Sequence, residues 1–365
     1  ASAALPFIAA AAILGSSIAS AIACLYILIS GKIKGDSITK QMLQRDTITD
    51  PTGATAKKLV VCCLPIALIS VIMTFANMID MLTVNPCIKT AMKASPHTFD
   101  SLLSDKLTTD MLPNFIYGSY TGLAVTVFGL VPTITAMFGK SILPSLAESC
   151  AKNDKKAMQS GLTKMLIVTS IIAIPAVLSE PILRFLFGGR ETEIQVCIMP
   201  MSILGIAVIF LAIATPCFAI LQTLGKPHKA IIIMLAGGII KLFLNIILIR
   251  QPIINISGAA ISTLVSEVFI CVLSVRSVCK MTDLKPKVSE IFVKPTYAAI
   301  MCSVTAILSH ETLTKIAHLQ INHRFVTLFS IGIGSTMYFF CLYLLCETPK
   351  NIVNCIFSKK NPQNP

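Results

Sequence analysis

Charged and amide side chains stand inside long apolar runs of this sequence, where a polar group needs a partner. Lys241 and Glu267 lie in two consecutive apolar segments, with Asn245 one helical turn from Lys241 and Thr263 one turn from Glu267. The turn between the segments centres near residue 253, so the depths of Lys241 and Glu267 differ by about 3 Å at about 1.5 Å per residue. We therefore predict that they pair, either to fix helix packing or to line a cavity or ion-coupling site.

A second polar stripe precedes them in the chain. Ser70, Thr74 and Asn77 follow one another at helical spacing, and Asp80 lies one turn further on. Asn77 and Asp80 are candidates for a cavity lining, and Asp80 is also close enough to the outer end of its segment to reach the membrane interface.

The apparent motifs for enzymatic chemistry in this sequence are incomplete. The Gly139–Ser141 tripeptide resembles the end of a P-loop, but Ile134 stands where its first glycine is needed. The spacing of His310, His318 and His323 matches no zinc pattern. The cysteines form no C-x-x-C pair and lie mostly in apolar runs, so we interpret them as small apolar side chains of helices. No catalytic, metal or cofactor site is predicted.

The elements that carry these residues are membrane helices. Only 13% of the 365 residues are charged and 55% are hydrophobic, with a mean hydropathy of +0.80, which excludes an ordinary soluble enzyme. Stretches long and apolar enough to cross a bilayer lie at 4–30, 59–83, 116–139, 162–187, 197–221, 229–249, 256–276, 291–309 and 325–346. The sequence therefore predicts an all-α polytopic membrane helix bundle with about nine transmembrane helices.

The basic residues predict how these helices are oriented. If successive spans alternate in direction, the connections after the odd-numbered spans form one set and those after the even-numbered spans form the other. The first set, with the C-terminal tail, holds 21 of the 30 Lys and Arg residues, and the second holds 8. The positive-inside rule puts the first set, and hence the C-terminus, in the cytoplasm. Topology thus accounts for the net charge of +13, and no nucleic-acid partner is implied.

Several strings in this order resemble one family of transporters. They are YGSYTGLAVTVFGLVPTITAMFGKSILPSLAE at 117–148, LQTLGKP at 221–227, GGIIKLFLNIILI at 237–249 and INISGAAISTLVSE at 254–267. They resemble the polysaccharide-export and stage V sporulation protein B branch of the multidrug/oligosaccharidyl-lipid/polysaccharide (MATE-like) superfamily. The residues that carry the resemblance have structural roles: Gly118 and Gly122 for close packing, Pro132 for a kink, Pro144 near the start of an interfacial helix, Gly225 and Pro227 for a tight cytoplasmic turn, and Gly258 for close helix approach.

The resemblance implies a fourteen-helix transporter of two six-helix bundles and a final pair, of which this chain holds the last nine helices. Residues 1–58 are then the last helix of the N-terminal bundle with a cytoplasmic connector, residues 59–280 the C-terminal bundle, and residues 281–365 the final helix pair and tail. The first five helices are expected to precede this chain. Residues 116–139 hold no charge, whereas the peptidoglycan-precursor flippase branch has an arginine in the corresponding helix.

The function that the resemblance implies is flipping of a lipid-linked oligosaccharide or peptidoglycan precursor across the cytoplasmic membrane by alternating access. The partners would be a polyprenyl-linked saccharide, membrane lipids and a coupling cation, with Lys241 as the cation that meets phosphate. Two alternatives stay open. A cation-coupled multidrug exporter of the same superfamily would depend more on Asp80 or Glu267, and a membrane glycosyltransferase would use the aspartates of segment 84–115, Asp100, Asp105 and Asp110.

Overall fold

The structure is a computed structural model, and every regular element that it describes is helical. It describes residues 5–34, 51–95, 98–99, 108–130, 132–133, 137, 148–149, 152, 179–282, 294–316 and 323–345, and within these ranges some side chains of 5–80 and a few later ones are excluded. By internal contacts the chain divides into two units, Ala1–Cys62 and Cys63–Pro365. The site described below lies within the second unit.

Each of the nine predicted spans overlaps one α-helix. In chain order these are α1 (Leu5–Lys34), α2 (Thr52–Ala94), α3 (Leu112–Ser119), α4 (Ser179–Phe187), α5 (Glu191–Thr223), α6 (Pro227–Leu248), α7 (Ser257–Thr282), α8 (Lys294–Ile316) and α9 (His323–Leu345). Among the described residues, α5, α6 and α7 meet the length and hydropathy required to cross a membrane. The prediction of an all-α polytopic membrane helix bundle is confirmed.

The turn between α5 and α6 is set by a glycine and a proline. Gly225 has a φ of +70°, which glycine adopts without strain, and its N–H donates to the carbonyl of Gln222. The N–H of Lys226 donates to the carbonyl of Leu221, which completes a Schellman ending of α5. Pro227 then occupies the first turn of α6, where its missing N–H costs nothing. The chain thus reverses within three residues, as the sequence predicts.

Helices α6 and α7 form a tightly packed hairpin. A Cβ on Gly258 would lie 2.8 Å from the backbone carbon of Leu248, so only glycine allows this approach. Further along, a Cβ on Gly237 would overlap the side chain of Ile270. Glycines at these two points let the helix backbones come close enough for short polar side chains to bridge them.

Helix α3 runs into a π-helix, Tyr120–Val125, and residues 126–130 return to α-helical geometry. The predicted close packing at Gly118 and Gly122 is not found: both are exposed, and no described atom lies within 4 Å of a Cβ built at either position. The π-helix begins between them and changes the residue spacing from i→i+4 to i→i+5, so they no longer form an α-helical small-x-x-x-small face. Pro132 and Thr133 are helical, but residues 131 and 134–136 lie outside the described residues, as does Pro144.

Two apolar clusters pack the second unit. One contains the second half of α2 from Val84, with α3, the π-helix, the first half of α5 and the start of α7. The other contains Ile69 of α2 with the second half of α5, the first half of α6 and the second half of α7. Along α2, α6 and α7, a buried polar layer lies between them, at Asp80–Thr83, Lys241–Asn245 and Ser262–Ser266. The fold therefore places these polar groups partway along apolar helices.

Candidate functional site

An ion pair between α2 and α6 forms the centre of the polar layer. The Nζ atom of Lys241 donates to Oδ2 of Asp80 across 2.8 Å, and each side chain is only 10% exposed. Since isolated charges are costly within a bilayer, each group is stabilised there by the other. The pair joins two helices that are far apart in the sequence.

Asn245, one turn beyond Lys241, links three helices. Its Nδ2 atom donates to Oδ1 of Asp80 at 2.9 Å and contacts Oγ1 of Thr83 at 3.0 Å, and its Oδ1 accepts a hydrogen bond from Oγ of Ser262 on α7. The side chain is fully buried. Every polar atom of this amide has a partner, so Asn245 fixes the relative position of α2, α6 and α7 at one level.

Two more residues of α7 complete the polar layer. Oγ of Ser266 donates to the backbone carbonyl of Gly237 at 2.9 Å, which the close approach at that glycine permits. Thr263 donates to the carbonyl of Ala259 at 2.8 Å within its own helix and also interacts with the hydroxyl of Tyr120. Tyr120 is the first residue of the π-helix and is 1% exposed. The π-helix therefore brings an aromatic hydroxyl from a fourth element to the layer.

Glu267 does not pair with Lys241, and that sequence-based prediction is wrong. Lys241 reaches across to α2 instead, because Asp80 on that helix offers a carboxylate at the same level, supported by Asn245. Oε2 of Glu267 is buried and has no hydrogen-bond partner among the described residues. Glu267 follows Ser266 directly, so it lies at the edge of the polar layer without taking part in its hydrogen bonds.

The structure brings together four of the six candidate cavity residues: Asp80, Lys241, Asn245 and Thr263. The side chain of Asn77 lies outside the described residues, although its backbone continues α2. Sequence reasoning missed Thr83, Ser262 and Tyr120. Thr83 could have been found, because it lies three residues after Asp80 and hence on the same face of α2. Ser262 lies at helical spacing from none of the candidate cavity residues. Tyr120 gave no signal, since the π-helix that positions it has no recognised sequence pattern.

The side chains of this layer can recognise polar ligands. It offers an ammonium, a carboxylate, an amide and hydroxyls, which are groups that bind phosphate and sugar hydroxyls. Over the described ranges no three His, Cys, Asp or Glu residues are close enough to hold a metal ion. The charges of Asp80 and Lys241 cancel, so the layer is polar but neutral in this arrangement.

Comparison with known proteins identifies relatives among membrane transport proteins. No family model matches the chain. Stage V sporulation protein B of Bacillus subtilis is 23% identical over 179 residues, which is 48% of this chain and 34% of that protein. Lipid II flippase MurJ of Bacillus subtilis is 25% identical over 136 residues, 36% of this chain and 25% of that protein. An uncharacterized membrane protein of Methanocaldococcus jannaschii is 28% identical over 149 residues, 40% of this chain and 28% of that protein.

Solved structures with a similar arrangement are transporters. A MOP superfamily transporter from Pyrococcus furiosus matches with a TM-score of 0.49 at 16% identity, over 79% of this chain and 65% of that one. A MATE crystal structure in the bent conformation gives 0.48 at 15% identity, over 81% and 68%. The sequence relatives confirm the resemblance of this chain to flippases of the MOP superfamily. The segments that match this chain make up about a third or less of the length of each relative.

Proposed function

We propose that this chain, a relative of membrane flippases, forms part of a transporter that moves a lipid-linked saccharide across the cytoplasmic membrane. The observation that carries the proposal is the buried layer around Asp80, Lys241 and Asn245, which lies between two apolar clusters of membrane-type helices. A charged group within a bilayer is costly and is typical of a transport pathway. One of the sequence relatives is named as a lipid flippase.

The groups of this layer suit the headgroup of such a substrate. The ammonium of Lys241 is a point charge that binds phosphate oxygens, and the side chains of Asn245, Ser262 and Thr263 bind hydroxyl and amide groups of sugars. The polyprenyl tail would stay among the lipids, beside apolar side chains that α6 exposes, such as Phe243 and Ile247. Alternating access would open this layer first to one side of the membrane and then to the other.

The whole transporter is proposed to be larger than this chain. The curated relatives extend well beyond the segments that match here. In the proposed arrangement, residues 1–58 end an N-terminal bundle, residues 59–280 form the C-terminal bundle, and residues 281–365 add the final pair and a cytoplasmic tail. The second wall of the cavity would then come from helices that precede residue 1.

A second candidate function is cation-coupled export of small drugs. Glu267 favours it, because a buried carboxylate oxygen without a partner is a potential cation ligand. In that case Glu267 and Asp80 would carry the activity, and Lys241 would serve only to neutralise Asp80.

One reconstitution experiment separates the two candidates. The full-length protein that contains this chain is placed in vesicles, and movement of a fluorescent polyprenyl-linked disaccharide is compared with export of a cationic dye. For Lys241→Gln we expect saccharide flipping to fall by about tenfold or more, the size of losing one charge-assisted bond. Lys226→Gln, at an exposed turn position, is the control and should flip at the normal rate. Dye export without saccharide movement would overturn the flippase assignment.

A further inference from the structure

Glu267, on α7 of the α6–α7 hairpin, has a buried carboxylate oxygen without a hydrogen-bond partner. Oε2 of this residue accepts no hydrogen bond from any residue that the structure describes. Glu267 directly follows Ser266, whose hydroxyl donates to the carbonyl of Gly237, and Gly237 lies one helical turn before Lys241 on α6. The carboxylate thus lies close to a cation that is bound elsewhere.

The α6–α7 hairpin is built to move as one body. The hydrogen bond between Asn245 and Ser262 and the bond from Ser266 to the carbonyl of Gly237 connect the two helices. The backbone contact of Gly258 with Leu248 closes the hairpin at its turn. Lys241 lies between the first two connections along α6, and Glu267 lies beside the second on α7. Both residues would therefore keep their relative position if the hairpin shifted.

The connection of this hairpin to α2 is of a different kind. It depends on Asp80, which accepts from Lys241 at 2.8 Å and from Asn245 at 2.9 Å, and on Thr83, which contacts Asn245 at 3.0 Å. A shift of the hairpin away from α2 would break these bonds together. An ammonium left alone inside the membrane would then oppose the shift, because an unpaired charge is costly there.

We propose that Glu267 is the second anion for Lys241, so that the ammonium exchanges between Asp80 on α2 and Glu267 on α7 as the hairpin separates from α2. In the described arrangement Lys241 ties the hairpin to α2. In the other arrangement it is paired within the hairpin, and water entering the gap solvates the carboxylate of Asp80. The exchange keeps Lys241 paired at both ends of the movement. Because an ammonium has three N–H donors, Lys241 can bind a substrate phosphate while paired with Glu267, and it is available to substrate, with Asn245, only when the gap is open. This inference rests on the proposed function in one respect: it assumes that the protein alternates between two arrangements.

A distance measurement tests this exchange without relying on transport. Spin labels carried by unnatural amino acids are placed at Lys89 of α2 and Ile247 of α6, which are both exposed, in the full-length protein in lipid nanodiscs. The unmodified site should give a short and a long distance population. Glu267→Gln removes the second anion, so the long population should fall by about tenfold, whereas Glu267→Asp keeps a carboxylate and should retain both. Asp80→Asn should shift the balance the opposite way, toward the long distance.

Specific results with these variants would overturn the exchange of Lys241 between Asp80 and Glu267. Unchanged populations in Glu267→Gln, or the same loss in Glu267→Asp, would overturn the exchange. If Glu267→Gln does not insert, Asp80→Asn carries the test, and a failure to increase the long population overturns it. Saccharide flipping is measured on the same samples: normal distance shifts without flipping would overturn the substrate assignment alone, and flipping without distance shifts would overturn the exchange alone.

Discussion

Lys241 and Asp80, separated by 161 residues in the sequence, form a buried ion pair with a distance of 2.8 Å between Nζ and Oδ2. The pair joins α2 to the α6–α7 hairpin at the level where polar side chains replace apolar ones on all three helices. Both oxygens of the Asp80 carboxylate accept hydrogen bonds, because Asn245 donates to the oxygen that Lys241 does not contact.

The first prediction concerns the two charges as a unit. Lys241→Met leaves the Asp80 carboxylate buried without its cation and should lower the free energy of unfolding by about 3–5 kcal/mol. Asp80→Asn should cost less, because Glu267 remains as an anion for Lys241. The double variant removes both charges and should recover a large part of that loss. The measurement is thermal unfolding of the full-length protein in detergent, evaluated as a double-mutant cycle.

The two exposed ion pairs of Arg184, with Glu180 and with Glu191, provide the control, since all three side chains are about half exposed. Arg184→Gln should cost less than about 1 kcal/mol. Equal effects at Arg184 and Lys241 would contradict the importance of burial for the central pair.

The second prediction concerns Asn245 as the link among three helices. Asn245→Leu keeps a similar volume but leaves Oδ1 of Asp80 and the hydroxyls of Thr83 and Ser262 with one partner fewer. We expect the free energy of unfolding to fall by about 2–4 kcal/mol, because buried polar groups are costly without partners.

Asn114→Ala is the matched comparison, because it removes an exposed hydrogen bond of 3.0 Å from the side-chain amide of Asn85 to that of Asn114. It should change the free energy of unfolding by no more than about 0.5 kcal/mol. Denaturation followed by intrinsic tyrosine fluorescence measures both variants. A larger loss at Asn114 than at Asn245 would argue against Asn245 as the link.

The third prediction contrasts two helical glycines. Gly258→Ala would place a Cβ 2.8 Å from the backbone of Leu248 and should destabilise the hairpin by about 2 kcal/mol or more. Gly118→Ala meets no described atom and should be neutral or stabilising by up to about 1 kcal/mol, because alanine is the better helix former. In the same detergent, the melting temperature should therefore fall for Gly258→Ala and stay unchanged or rise for Gly118→Ala. A matching decrease for Gly118→Ala would contradict the open space found there.

The sequence was sufficient for the helices but only partly for the site. Runs of apolar residues long enough to cross a bilayer located each of the helices α1 to α9, because these helices depend on length and hydropathy. The turn at Gly225 and Pro227 and the close approach at Gly258 also followed from residue type, since each depends on local backbone geometry.

The partner of Lys241 could not be derived in this way. Glu267 and Asp80 are both carboxylates at a suitable depth, and the argument from depth favoured the nearer one in sequence. The rotation of α2 about its own axis decides between them, and that rotation is set by packing across helices far apart in the chain. The π-helix had the same effect at Gly118 and Gly122: it changed the residue spacing on which the predicted packing face depended.

The last prediction tests the proposed orientation in the membrane. Segments 31–58 and 84–115 flank the second predicted span, and the positive-inside rule puts the first in the cytoplasm and the second outside. An epitope tag near Ser37 should therefore be accessible to antibody only after the cells are permeabilised. A tag near Asp105 should be accessible to antibody on intact cells. The expected difference follows from the distribution of basic residues, 6 in the first segment against 3 in the second. Labelling of both tags from the same face would contradict the alternation of spans and, with it, the proposed cytoplasmic C-terminus.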